Sequence, residues 1–334
     1  MSQQIGILGA GSWGVALACL VHENGHEVTL WEYDEAACSE LSKSRSSRFM
    51  PGVRIPDAVQ VTNDLVQAAE NKDSILVVLP SHTIRSVCYG LARLDLGSAV
   101  LVSCSKGIEN HSLKRISEIL LDDLPDVTED RVAVLSGPSH AEEVSQQIPT
   151  AVTAASAKMK TAKQVQQVMS NAYFRVYTSQ DLLGVELGGS LKNVIAIAAG
   201  IVEGVGYGDN TKAALLTRGI VEMTRLGTAM DASANTFAGL SGIGDLIVTC
   251  TSRHSRNRFV GEEIGKGRKL KEILDNMIMV AEGVRTTQSA VDLSKVHGVN
   301  MPITQEVYQV LFEGKPPVDA IRDLMTRELK SEDA

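Results

Sequence analysis

Ile5-Gly6-Ile7-Leu8-Gly9-Ala10-Gly11-Ser12-Trp13-Gly14 is the stretch that decides the fold. A Gly-x-Gly-x-x-Gly motif standing alone is weak, because glycine-rich hexapeptides arise by chance. Here its surroundings carry the reading. The apolar run Ile5 to Leu8 reads as a buried strand. A helical stretch from Ser12 to Glu23 follows, closed by Asn24-Gly25, a helix stop signal. A second strand, Glu27 to Trp31, ends at Glu32, 18 residues beyond Gly14. That is the layout of a dinucleotide-binding βαβ unit. In such a unit Gly9 permits the tight turn, Gly11 lets the backbone approach a pyrophosphate, and Gly14 lets helix and strand pack closely. The pyrophosphate would rest on the helix N-terminus, where unpaired N–H groups and the helix dipole favour negative charge.

Working outward, strand and helix signals alternate through the first half. Ser74 to Pro80 and Ala99 to Ser103 are continuous apolar runs of the kind buried parallel strands show. A helical pattern covers Leu113 to Leu121. Arg131 to Leu135 reads as a strand ending in the turn Ser136-Gly137-Pro138. Thr150 to Ala154 and Phe174 to Thr178 read as further strands around a polar helix from Lys158 to Asn171. This alternation predicts a doubly wound parallel sheet. Near Leu182 the pattern changes to helical periodicity without strands: Glu186 to Val205, Ala213 to Met230 and Thr286 to His297, with Gly239, Gly242 and Gly244 marking a tight bend. The expected division is a dinucleotide-binding domain at 1–180 and a helical substrate and dimerisation domain at 181–334, with a frayed tail from Lys330 to Ala334.

Composition excludes several classes. A chain of 334 residues suits two domains, and 44% hydrophobic with 22% charged residues is ordinary for a soluble globular protein. A net charge of −8 argues against nonspecific nucleic-acid binding. Five scattered cysteines, Cys19, Cys38, Cys88, Cys104 and Cys250, without a Cys-x-x-Cys pair, fit neither a disulfide scaffold nor a zinc site. Cys104 beside Lys106 is a nucleophile candidate, but a free cysteine ending a strand more often packs. A strand starting this near Met1 leaves no room for a signal peptide, and no uncharged apolar run reaches the ~20 residues of a membrane span. The expectation is a soluble cytoplasmic protein with no metal.

Glu32, at the end of the second strand with Asp34 nearby, stands where an acidic side chain accepts hydrogen bonds from the adenosine ribose and repels an extra 2′-phosphate. This favours NAD(H) while admitting NADP(H), since Arg45 or Arg48 stands within reach of such a phosphate. Lys106, in Ser105-Lys106-Gly107, follows a strand and so sits at the carboxyl end of the sheet, where ligands bind. Lys192 and Asn193 interrupt an apolar helix, and a lysine there is costly unless paired or functional. Arg253, Arg256 and Arg258 cluster beside Ser255 and Asn257, a set suited to the oxygens of a phosphate. Each has a plainer alternative: a solvated loop lysine, a snorkelling lysine, a solvated helix start.

Taken with these, the chain resembles the soluble bacterial NAD(P)-dependent glycerol-3-phosphate dehydrogenases. The matching segments are Gly9 to Gly14, Ser105-Lys106-Gly107, Ser136-Gly137-Pro138-Ser139-His140-Ala141, Leu187 to Val194, Gly242-Ile243-Gly244-Asp245-Leu246, Thr249-Cys250-Thr251, Ser255-Arg256-Asn257-Arg258 and Ala281-Glu282-Gly283. The resemblance implies a Rossmann-like domain followed by an all-helical one, a homodimer, and interconversion of dihydroxyacetone phosphate and sn-glycerol 3-phosphate in support of phospholipid synthesis. It implies Lys192 as proton donor and acceptor with Asp245 and Thr249 beside it. It places Lys106, Gly137, Ser139, Asn193, Asp245, Ser255, Arg256 and Asn257 on the substrate. Ser12, Trp13, Tyr33, Lys106, Ala141, Ser255, Arg256, Val280 and Glu282 would touch the cofactor, along with the glycines and Glu32. Tyr33 departs from the histidine or arginine that members often carry. Ser46 to Pro51 follows the usual Asn-x-x-Tyr-Leu-Pro pattern only loosely, so no contact is assigned there.

Burial and the neighbouring Lys106 are expected to lower the pKa of Lys192 from the ordinary ~10.4, with Asp245 opposing them. Two rivals use a similar frame: a ketopantoate reductase, which has less need of three arginines, and a 6-phosphogluconate-type enzyme, whose motifs are not found. A noncatalytic dinucleotide sensor would need the glycines but has no use for Lys192.

Overall fold

The computed structural model describes residues 2–329, 331 and 332; part of the expected frayed tail (Lys330, Asp333 and Ala334) lies outside the described residues. Eight strands form one sheet: β1 Gln4–Leu8, β2 Glu27–Trp31, β3 Gln60–Thr62, β4 Ser74–Val77, β5 Val100–Ser103, β6 Val132–Ser136, β7 Thr150–Ala155 and β8 Phe174–Ser179. The helices among them are α1 Ser12–Glu23, α2 Glu35–Ser44, α3 Leu65–Ala69, α4 Ile84–Leu91, α5 Ile116–Asp123, α6 Ala141–Val144 and α7 Met159–Met169. The strand order is β3-β2-β1-β4-β5-β6-β7-β8. Growth outward from β1 in both directions makes the sheet doubly wound, with its switch point at the carboxyl ends of β1 and β4. Apolar clusters pack on both faces, one around Ile5, Val15, Leu30 and Phe174, the other around Leu8, Ile75, Ile84 and Leu101. Residues buried on two faces give β1, β4, β5 and β6 their unbroken apolar runs.

The opening unit folds as its sequence dictates. α1 spans Ser12–Glu23, Asn24 ends it, and Gly25 takes φ +86°. A Cβ at Gly14 would stand 1.8 Å from the Gly9 carbonyl oxygen, so only glycine lets helix and turn meet. Gly9 itself has φ +112°.

Three details differ from expectation. β6 and β7 pair antiparallel in an otherwise parallel sheet, Leu135 opposite Ala154, because the connection carries only the four-residue α6 instead of a full crossover helix. The helix expected from Leu113 begins at Ile116. His111 and Leu113 have positive φ, the Ile108–Arg115 bridge closes a loop, and the Glu118 carboxylate accepts the Arg115 backbone N–H at 2.8 Å. The short edge strand β3 had no apolar signal strong enough to find it.

After β8 the chain is helical: α8 Leu182–Val205, α9 Asp209–Ala229, α10 Ala234–Phe237, a wide turn at Leu240–Gly244, α11 Asp245–Thr251, α12 Arg256–Gly265, α13 Leu270–Asp275, α14 Glu282–Val296, α15 Pro302–Phe312 and α16 Pro317–Met325. α8 is long and apolar enough to cross a membrane, but its stretch from Gly184 to Val202 is buried in the protein. Its glycines let neighbours in. A Cβ at Gly200 would lie 2.0 Å from the Arg258 carbonyl oxygen, and one at Gly261 would lie 2.0 Å from that of Ile197, so α8 and α12 cross almost backbone to backbone. The five cysteines are free and none is exposed. Burial pushes the Cys104 thiol up to about 12, against the pull of Lys106, so it packs as a neutral thiol.

Candidate active site

A cavity of about 330 Å³ opens between the sheet's carboxyl edge and the helical half. The loops after β1, β4, β5 and β6 supply one wall, through Gly11 to Gly14, Val78 to Pro80, Cys104 to Lys106 and Ser139 to Glu142. The other comes from α8, α11, the start of α12 and the segment Ile278 to Glu282.

Lys192 sits at the cavity's floor, 5% exposed. Its Nζ donates to Thr249 Oγ1 at 2.6 Å and to Asp245 Oδ1. Lys106 Nζ donates to the other oxygen of Asp245 at 2.7 Å and to the Gly137 carbonyl at 3.1 Å. One buried carboxylate thus bridges two ammonium groups from opposite halves of the chain. The double glycine ahead of Lys192 makes this possible. A Cβ at Gly188 would lie 2.6 Å from the Ser241 carbonyl oxygen, and one at Gly189 would lie 2.5 Å from Ser136 Oγ, so α8 nests against both the wide turn that leads to Asp245 and the end of β6.

Burial, reinforced by Lys106, brings the Lys192 pKa down to about 7 against the upward pull of Asp245. Burial alone would raise the Asp245 carboxyl, but Lys106 and Lys192 outweigh it and hold the group below the usual carboxylate range.

The arginine cluster divides. Arg256 lines the cavity and has no ion pair among the described residues. Arg258 turns inward, binding Glu203 at 2.9 Å, Glu262 at 3.0 Å and the Ser252 carbonyl at 3.0 Å, and Arg253 is exposed away from the lining. The three-guanidinium reading therefore reduces to one. Ser255 caps α12 by accepting the Arg258 backbone N–H at 3.2 Å. Asn193 accepts from Asn257 at 2.9 Å, and Asn257 accepts the Gly283 N–H at 2.9 Å, tying three helices beside the cavity. Ser139 donates to the Gly137 carbonyl at 2.9 Å.

At the dinucleotide end, Ser12, Trp13, Ala141, Val280 and Glu282 all line the cavity. Glu282 accepts the Ser81 N–H at 3.0 Å and its hydroxyl at 2.6 Å, a contact between the two halves that sequence reading missed. Gly11 is the informative glycine. Nothing in the protein lies within 4 Å of the Cβ it lacks, so the space beside it is open to a ligand, and α1 carries no side-chain cap to occupy its first N–H groups. Those features fit a pyrophosphate.

Glu32 lies apart, in a small pocket with Arg48 and Phe49. Tyr33 is 81% exposed, edge-on to Trp31, and lines neither cavity. Arg45 is not free to meet a 2′-phosphate, because it is buried and donates to the carbonyls of Pro56 and Val59 (2.6 Å for the latter). His140 and His254 also line the main cavity, beside Ser139 and Ser255. Among the described residues no group of three or more His, Cys, Asp or Glu gathers in a metal-binding arrangement.

A doubly wound sheet with an open glycine turn at its switch point, facing a buried lysine–carboxylate pair on a helical domain, defines a two-domain nicotinamide-dependent dehydrogenase. Residues 4–162 match the family model for the NAD-dependent glycerol-3-phosphate dehydrogenase N-terminus, and residues 181–322 match that for the C-terminus. Glycerol-3-phosphate dehydrogenase [NAD(P)+] of Prosthecochloris aestuarii is 51% identical over 329 residues, 98% of this chain and 99% of that one. That of Geobacter sp. strain M21 is 51% identical over 333 residues, 99% of each. The crystal structure of glycerol-3-phosphate dehydrogenase from Coxiella burnetii superposes with a TM-score of 0.93 at 36% identity, covering 98% of this chain and 99% of that one. The chain belongs to the NAD-dependent glycerol-3-phosphate dehydrogenase family.

Proposed function

We propose that this protein interconverts dihydroxyacetone phosphate and sn-glycerol 3-phosphate, with Lys192 as the proton-transferring group. The observation that carries the reading is the Lys192 ammonium on the cavity floor, held by Asp245 and Thr249 and poised at about 7. A general acid–base works best with a pKa near the operating pH. Gly11 to Trp13 and Glu282 would hold a nicotinamide dinucleotide, which would supply or accept the hydride. Lys192 gives its proton to the ketone oxygen as it becomes an alcohol, and takes it back in the reverse direction. Asp245 and Thr249 hold the Nζ in place. Lys106 adds positive charge near the oxygen. Arg256 grips the phosphate, so that binding energy remote from the carbonyl aligns it.

Further parts of the reading rest on residues of this chain. Residues 1–180 bind the dinucleotide; residues 181–334 carry the acid–base lysine and the homodimer contact. Glu32 favours NAD(H) over NADP(H) by repelling a 2′-phosphate, while Arg48 in the same pocket keeps NADP(H) admissible, Arg45 being committed elsewhere. The product feeds phospholipid synthesis, and the free cysteines suit a reducing cytoplasm.

The test is the initial rate of NADH oxidation with dihydroxyacetone phosphate, repeated with NADPH and with unphosphorylated dihydroxyacetone. Fast turnover that requires the phosphate and prefers NADH is expected. NADH binding without turnover of the phosphorylated ketone would sink the reading in favour of a dinucleotide sensor.

A further inference from the structure

His140 is a titratable group of the cavity that the proposed reaction does not use. It sits between Ser139 and Ala141 on the loop from β6 to α6, half-buried, and all three line the cavity. Its Nε2 is buried and has no hydrogen-bond partner. Across the gap, on the loop from α11 to α12, stands His254, its ring centroid 5.8 Å away at 53°. His254 in turn adjoins Ser255 and Arg256, also in the lining.

We propose that His140 is an anion-responsive residue of the site, an imidazole that takes up a proton when a phosphorylated ligand enters the cavity and so ties substrate affinity to pH. The inference rests on the reading of this cavity as the phosphorylated substrate's site. The groups that face His140 are Lys106 after β5, Lys192 on α8, Asp245 on α11, Glu142 on α6, and His254 on the helical side; Arg256 lines the same cavity. In the free protein burial and Lys192, with Lys106, hold the imidazole below its usual pKa, while Glu142 and Asp245 oppose them. Both carboxylates face cations of their own: Asp245 is shared by two lysines, and Glu142 lies in the field of Arg256. Neutral His140 can leave Nε2 as a bare lone pair, whereas the cation would place an N–H there with no acceptor. A phosphoryl group arriving in the cavity brings about two negative charges, which counter the field of Lys192 and Lys106 that keeps the imidazole neutral.

The sign follows. Free His140 is neutral near pH 7 and the liganded form binds a proton more readily. Between the two titration points ligand binding consumes protons, and affinity falls as pH rises, by at most about tenfold per pH unit for one proton.

The test titrates sn-glycerol 3-phosphate into the NADH-saturated protein, a combination that cannot react, by calorimetry in two buffers of different ionisation enthalpy at pH 7. Wild type, His140→Phe and His140→Gln are compared. Phe keeps the ring's bulk, Gln keeps a polar group, neither titrates, and NADH fluorescence certifies the fold of each. Wild type is expected to take up a fraction of a proton more than both variants. Its affinity should fall several-fold more than theirs between pH 6.5 and 8, a range where the phosphate ester (second pKa about 6) is mostly dianionic. Equal uptake in wild type and in either folded variant overturns the proposal while leaving the site assignment standing. A wild type that binds glycerol 3-phosphate no better than glycerol overturns both.

Discussion

Changing Asp245 to Asn removes the single negative charge that serves two ammonium groups, Lys192 on one oxygen and Lys106 at 2.7 Å on the other. Asp245 is the main influence holding the Lys192 pKa up; burial and Lys106 pull it down, and the balance stands at about 7. An opposite charge this close is worth about 1–3 pKa units. In Asp245→Asn the midpoint of the Lys192-dependent profile therefore moves about 1–3 pH units towards acid. Ketone reduction needs the ammonium, so at pH 7 its rate falls by about one to three orders of magnitude, as the protonated fraction does. Alcohol oxidation needs the amine, so it is spared this loss at pH 7 and becomes less sensitive to pH above it. The cost in stability is limited, because Lys192 can shed its proton. At pH 6, one unit below 7, that escape costs about 1.4 kcal/mol; at pH 8 the Lys192 share of the cost almost vanishes, since the wild-type amine is already neutral there, while the loss of the Lys106 partner remains at both pH values. Single-turnover rates in both directions between pH 5 and 9, which avoid masking by product release, read the midpoint; thermal unfolding at pH 6 and 8 reads the cost. A reduction midpoint that stays at about 7 or moves to alkaline pH would falsify the assignment of Asp245 as the group that holds the Lys192 charge.

Other expectations follow from the same geometry. Lys192→Ala lowers kcat about 10²–10⁴-fold, whereas Arg256→Ala chiefly raises KM for dihydroxyacetone phosphate, about 10- to 150-fold for a lost charged hydrogen bond. Steady-state rates separate the two, and reversed effects would exchange their roles. Gly11→Ala keeps its Tm but loses NADH affinity, because its Cβ meets no protein atom and only a ligand is in its way. Gly14→Ala loses Tm as well, because its Cβ would stand 1.8 Å from the Gly9 oxygen. Equal effects on Tm would refute the distinction. Glu222, buried on α9, accepts the Ile303 and Thr304 N–H groups of α15 at 2.6 and 3.2 Å, and burial raises its pKa to about 7. The folded carboxyl stays protonated where the unfolded one has ionised, so it costs stability as pH rises from about 4.5 to 7, by up to about 3 kcal/mol. Glu222→Gln should flatten that part of the Tm–pH curve, and an unchanged slope counts against the assignment.

What sequence could reveal here follows from the range of the interactions involved. The βαβ unit was legible because each of its signals is local: Gly9 must turn, Gly14 must touch Gly9, and Asn24-Gly25 ends α1 within its own last turn. Lys192 was legible for the opposite reason. A charge amid an apolar helix violates a local rule, and such violations gather where function compensates for them. Neither kind of signal could separate Arg256 from Arg258. They lie two positions apart on one helix, and which one faces the cavity depends on the backbone-to-backbone crossing of α8 and α12, a property of Gly200 and Gly261 together. The Glu282–Ser81 contact and the His140–His254 pair are of the same kind, each joining residues more than a hundred positions apart, with side chains individually unremarkable in sequence. The antiparallel β7 was hidden for a related reason: its residues read as strand either way, and only the brevity of α6 fixes its direction. Lys106, Lys192 and the arginine cluster can be named from their own neighbours in sequence, but which groups meet in the cavity is decided by where glycine lets two backbones touch.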